Sequence, residues 1–129
     1  MTNKYPIKET DTRKAYRERA GLTDKISVDA ALFKRAFEHD HKEPLDWNPK
    51  RLDNLRSLVD SGTHINAHPE VGIHDDGRIG VNDGRHRISH AAELGKMIDV
   101  VVSPDDTQKI QDRLKRQKYI DQAKDLLKS

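Results

Sequence analysis

The stretch Val81-Asn82-Asp83-Gly84-Arg85-His86-Arg87-Ile88-Ser89-His90-Ala91-Ala92 reads as a strand that turns through glycine directly into an amphipathic helix. Gly84 permits a tight backbone turn, and the first N–H groups of the following helix lack intrahelical partners. Arg85 and Arg87 stand beside those amides with charges that persist at any physiological pH. Free amides at the positive end of a helix dipole, flanked by guanidinium groups, make a seat for phosphate.

Working outward, Pro69 to Ile73 and Arg78 to Asn82 flank Asp75-Asp76-Gly77, and Asp-Gly between two such runs signals a hairpin. The second strand of that hairpin therefore delivers Asp83-Gly84 at its end. The helix from Arg85 is expected to bury Ile88, Ala91, Ala92 and Leu94 and to stop at Gly95. Met97 to Val102 follows as a nearly continuous apolar run, the pattern of a central strand.

Upstream, Asn48 as N-cap, Pro49 at the first helical position and Gly62 past the end bracket a helix with Leu52, Leu55, Leu58 and Val59 on one face. Lys25 to Asp29 alternates like a short strand, Ala30 to Phe37 carries apolar residues at helical spacing, and residues 39–44 form a loop. Ser103-Pro104-Asp105-Asp106 opens a last helix, with Ile110, Leu114, Ala123, Leu126 and Leu127 as its apolar positions. Residues 1–24 show no apolar face and read as a basic arm in which Arg13, Lys14, Arg17 and Arg19 surround Tyr16. A solvated lead-in is the favoured reading of this arm, and nonspecific contact with a nucleic-acid backbone is the alternative.

Composition sets the bounds. The 129 residues allow one domain with a modest core, since 33% are hydrophobic and 36% charged. A net charge of +2 creates no global basic field, so any polyanion must be bound locally. The absence of cysteine excludes disulfides, thiolate nucleophiles and cysteine zinc sites, and suits the reducing cytoplasm. No apolar run approaches a membrane span, and the polar start is not that of a signal peptide. The expected architecture is α+β in a single domain: a small mixed sheet with helices packed on it over 25–103, and a C-terminal helix over 104–129.

From about Ile26 to Val102 this succession of elements resembles the ParB/sulfiredoxin (ParB/Srx) fold of chromosome- and plasmid-partition proteins and their enzymatic relatives. The resemblance rests on the Ile-Ser-Val-Asp strand from Ile26, on Leu52 to Gly62 as a helix-Ser-x-x-Gly segment, and on Asn82-Asp83-Gly84-Arg85-His86-Arg87 followed by Ala91-Ala92-Glu93-Leu94-Gly95. It implies that Gly84, His86 and Arg87 hold the phosphates of a nucleoside triphosphate (ATP or CTP) with Mg2+. Arg85 stands where sulfiredoxins place their catalytic cysteine, which excludes sulfinic-acid repair. It also replaces the glutamate with which partition proteins help to hold the metal, which argues against clamp-type CTP switching. One helix after Pro104 leaves no room for a helix-turn-helix, so operator-specific DNA binding is not expected. The resemblance narrows to stand-alone domains of plasmids, phages and bacterial effectors, some with ATPase or nonspecific nuclease activity.

The candidate catalytic residues are Asp83, His86 and Arg87, with Asp83 as base or turn residue, His86 as phosphate donor or general acid, and Arg87 on the transferring phosphoryl. Glu93 and Asp60 are weaker candidates for the base. Gly84, Arg85, His86, Arg87 and Thr63 are the candidate nucleotide-binding residues, with Thr63 and His64 as the opposite wall. His86/His90 and His64/His68 each repeat at a spacing of four, but no third ligand is marked and no metal site is assigned to them. Trp47 reads as core or cap packing rather than as a base-stacking platform. The function expected is a metal-dependent ATPase or nuclease. The alternatives are a noncatalytic regulator that contacts nucleic acid or protein through residues 13–19 and the Arg85/Arg87 box, and a small-molecule kinase.

Overall fold

The computed structural model of the chain describes residues 3–128. Its elements run α1 (Asp11–Arg19), β1 (Asp24–Asp29), α2 (Ala30–His41), α3 (Pro49–Asp60), β2 (Glu70–Ile73), β3 (Ile79–Asp83), α4 (Arg85–Glu93), β4 (Met97–Val102) and α5 (Pro104–Lys128). The strands form one mixed sheet in the order β1-β4-β2-β3, with β1/β4 and β2/β3 antiparallel and β2/β4 parallel. The architecture is α+β, as the sequence pattern predicts, and β4 is an interior strand.

The first three helices start where a polar side chain takes their orphan amides, α1 at Thr10, α2 at Asp29 and α3 at Asn48. Asp29 caps α2 by accepting from the N–H groups of Ala31 and Leu32, and Asn48 caps α3 by accepting from Arg51 N–H, with Pro49 behind it. The core gathers Phe33, Ala36 and Phe37 of α2, Ile88 and Ala91 of α4, Ile98, Val100 and Val102 of β4, and Ile110 and Leu114 of α5. Removing this apolar surface from water is the main source of stability, about 1.5–3 kcal/mol for each large side chain.

Several sequence expectations are corrected. Residues 3–24 are built into the domain. Tyr5 N–H donates to Met97 O at 2.8 Å, Lys8 N–H donates to Ile65 O at 2.8 Å, and Tyr5 is buried. Arg17 is buried as well, pairing with Glu9 at 2.7 Å and donating to Leu22 O at 2.8 Å. The segment docks through a buried ion pair and one aromatic ring, which leave no apolar periodicity to read. Helix α2 runs on to His41 because its last turn has work in the fold. Asp40 accepts from Ile79 N–H and from Arg113, while His41 Nε2 donates to Ile79 O at 2.6 Å. Those two bonds satisfy both backbone groups of Ile79 on β3, an edge strand. Leu58, Leu94, Leu126 and Leu127 are exposed, not core; α5 turns its Ile110, Arg113, Leu114 and Gln117 inward and carries its last apolar residues beyond the packed surface.

Candidate functional site

The β3–α4 junction is built around Gly84. Its φ of 100° lies in the left-handed region, and a Cβ there would sit 2.6 Å from Pro69 Cβ and 2.8 Å from Pro69 Cα. Both conformation and space therefore require glycine. Gly84 O accepts the first helical bond from Ile88 N–H at 3.1 Å, and no side chain caps the helix. The amides of the first turn are left directed at whatever occupies the space in front of them.

That space is a cleft of about 380 Å3 between α4 and α3. Arg87 and Asp83 lie at the turn, Arg51, Leu55 and Leu58 form the α3 wall, and Trp47 stands at the rim, 57% exposed. The two walls are tied at both ends. Asn48 N–H donates to His86 Nε2 at 3.2 Å near the helix starts, and Arg56 bridges to Glu93 near their ends. The Glu93 carboxyl is held below its ordinary range by that arginine, so it serves the wall and is no free base. Asp60 does not line the cleft.

The structure separates the residues of the box. Arg87 is anchored for the site: it donates to Ala67 O at 2.5 Å, pairs with Asp83 at 3.0 Å, and lines the cleft. Asp83 keeps a 59% exposed carboxylate at the mouth. Arg85 also lines the cleft, but its guanidinium is engaged elsewhere. It donates to Leu45 O at 3.0 Å and Pro44 O at 2.8 Å and lies 4.8 Å over the Phe37 ring, so its guanidinium holds the loop before α3. His86 is also a scaffold residue. Its Nε2 accepts a backbone N–H, and burial followed by the charges of Arg51 and Arg85 pushes its pKa down, which leaves a neutral ring with no proton at Nε2. This geometry corrects the expectation of a phosphate donor or general acid at that atom.

Thr63 is not in the cleft; its hydroxyl bonds Ser61 Oγ at 3.0 Å, and the wall expected from Thr63 and His64 is supplied by α3 instead. The spaced histidines are separately engaged. His90 Nδ1 bonds the Tyr5 hydroxyl at 2.8 Å, and His68 Nδ1 bonds Asp99 O at 3.2 Å. Burial pushes Tyr5 up to about 12 and His90 down, which favours the neutral form of both partners.

Sequence reasoning missed three participants. Trp47 is at the rim and tilts against His86 with ring centroids 5.9 Å apart, rather than packing in the core. Arg51, one helical turn from the Asn48 cap, faces the cleft and makes no ion pair among the described residues. Glu70 sits opposite Asp83 on the paired strand; burial first, and then the Asp83 charge, raises its carboxyl. Only the hairpin register could have placed Glu70. Mg2+ takes phosphate oxygens, water and one or two carboxylates, and the exposed Asp83 with Glu70 across from it fits that donor set. Among the described residues no group of three or more histidines and carboxylates is arranged to hold a metal on its own. No helix among them is long and apolar enough to cross a membrane.

Compared with protein-family models, with curated proteins and with solved structures, the chain matches none.

Proposed function

We propose that this chain is a cytoplasmic nucleotide-binding domain of the ParB/sulfiredoxin-like kind, which seats phosphate on the first turn of α4 and the base against Trp47. One observation carries the reading: a single cleft is lined by the uncapped start of α4 and Arg87, by the exposed Trp47 indole beside His86, and by Leu55 and Leu58. Amides and guanidinium groups suit phosphate oxygens, and an indole face suits any base. Mg2+ bound with the phosphates would supply charge neutralisation beside Asp83, and phosphoester hydrolysis with Asp83 as the base is the activity this arrangement favours.

The engagement of Arg85 and His86 in scaffold bonds favours a second reading, a noncatalytic nucleotide sensor, because it withdraws two of the box's three charged or titratable side chains after Gly84 from chemistry. Calorimetric titration with ATP, CTP and GTP plus Mg2+ tests the binding. One of them should bind, and Arg87→Ala should weaken it about tenfold or more. Turnover lost in Asp83→Asn with binding retained supports the hydrolase; binding without turnover supports the sensor. Absence of binding to all three rejects both.

A further inference from the structure

The Gly84 cleft does not end at the Asp83–Arg87 pair. A second cavity of about 450 Å3 lies beyond it, and Leu55, Leu58, Asp83 and Arg87 line both. Its far side is formed by His64, Asn66 and Arg13, the last brought there by α1. Arg13 is exposed, makes no ion pair among the described residues, and lies near enough to Glu70 for its charge to oppose, without overcoming, the upward shift of that carboxyl. Arg51 at the other end is likewise exposed and unpaired among the described residues. The result is one trough with an apolar floor, an indole at one rim, and guanidinium groups at both ends and in the middle.

A mononucleotide would use one end of such a trough. Cations at successive positions along an apolar floor match a backbone that repeats its phosphates, with bases laid on Trp47 and the leucines. Resting on the nucleotide reading of the Gly84 cleft, we infer that the natural occupant is a single-stranded polynucleotide that runs from Trp47 and Arg51, across Arg87, to Arg13. The docking of the N-terminal segment acquires a purpose in this arrangement: the strap held by Tyr5 and Arg17 carries the distal phosphate contact.

The test is fluorescence anisotropy with labelled oligothymidylate and oligouridylate of about twelve nucleotides, within the usual footprint of single-strand sites. ATP binding is measured beside it by calorimetry. Three phosphate contacts at about 0.7 counterions each give a log–log salt slope near −2, or roughly a 20-fold loss between about 50 and about 200 mM salt. Arg13→Gln should reduce the slope by about 0.7 and leave ATP affinity within about twofold. Arg13 is exposed, and its backbone N–H keeps the bond to Thr10 Oγ1, so the substitution leaves the fold intact; Arg13→Glu should weaken the oligonucleotide further. A preference between the two oligomers assigns DNA or RNA. ATP binding without tighter oligonucleotide binding overturns this inference and leaves the nucleotide reading standing. Oligonucleotide binding that ignores both Arg13 variants, or duplex binding as tight as single-strand binding, also overturns it. Failure of both ligands overturns the inference together with the reading beneath it.

Discussion

Replacing Gly84 by alanine isolates the feature on which the site depends. Two costs apply, and the structure separates them. The first is conformational: a Cβ-bearing residue in the left-handed region costs about 1–2 kcal/mol. The second is steric. The new Cβ would fall 2.6 and 2.8 Å from Pro69 Cβ and Cα, and the Cα belongs to backbone that cannot swing aside as a flexible side chain would. Overpacking of this sort costs a further 1–3 kcal/mol, approximately. The expected loss for Gly84→Ala is therefore about 2–5 kcal/mol out of a total of about 5–15.

Gly77 supplies the control, because its φ of 87° is similarly left-handed and nothing lies within 4 Å of its would-be Cβ. Gly77→Ala should pay only the conformational cost, about 1–2 kcal/mol. Urea unfolding of both variants, with m-values checked for constancy, gives the difference directly. Equal losses in the two variants would show that the Pro69 contact is absent. A loss in Gly84→Ala below about 0.5 kcal/mol would show that the left-handed turn itself is not formed.

Three further outcomes follow from particular contacts. Arg17→Ala should destabilise by about 3 kcal/mol, because it strands the Glu9 carboxylate in a buried site; a solvated arm would give a change near zero in the same urea experiment. Arg85→Ala should cost about 2–3 kcal/mol of stability through its two carbonyl bonds and the Phe37 stack, yet leave nucleotide affinity almost unchanged, the reverse of Arg87→Ala. His68, His86 and His90 all have pKa values lowered first by burial, so the unfolded chain binds protons more readily than the folded one. Their contribution is complete above the ordinary histidine pKa of about 6.5 and is lost as pH falls below it toward the folded values. The urea midpoint should drop steadily from pH about 7 to about 5, and a flat profile over that window would contradict the buried, neutral assignment.

Much of the fold was legible where short-range chemistry decides it. Asn48-Pro49 with Gly62, Asp76-Gly77 between two apolar runs, and Asp83-Gly84 before Arg85 each state a local conformation, and each element formed where those residues place it. What failed depends on partners distant in sequence. Arg17 looked like a solvated charge because its partners, Glu9 and Leu22 O, become visible only once the segment folds back on itself. Arg85 and Arg87 are equivalent in sequence, two residues apart at a helix start, yet that separation gives their guanidinium groups different partners, the Pro44 and Leu45 carbonyls for one and Ala67 O with Asp83 for the other. Trp47 reads in sequence as core or cap packing because large aromatic side chains usually are buried; it stands just before the Asn48 cap but is exposed and lines the cleft. Leu126 and Leu127 keep helical spacing but lie past the last turn of α5 that packs on the domain.

Phosphate on the first turn of α4 is the contact on which the proposed function depends. Amide chemical shifts of the 15N-labelled protein, followed as ATP and Mg2+ are added, test it at the atoms concerned. The largest shifts should fall at the backbone N–H groups of Arg85, His86 and Arg87 and at the indole N–H of Trp47, the chain's sole tryptophan. Shifts that bypass these groups and cluster elsewhere, for instance around Lys109 and Arg116 on α5, would contradict it.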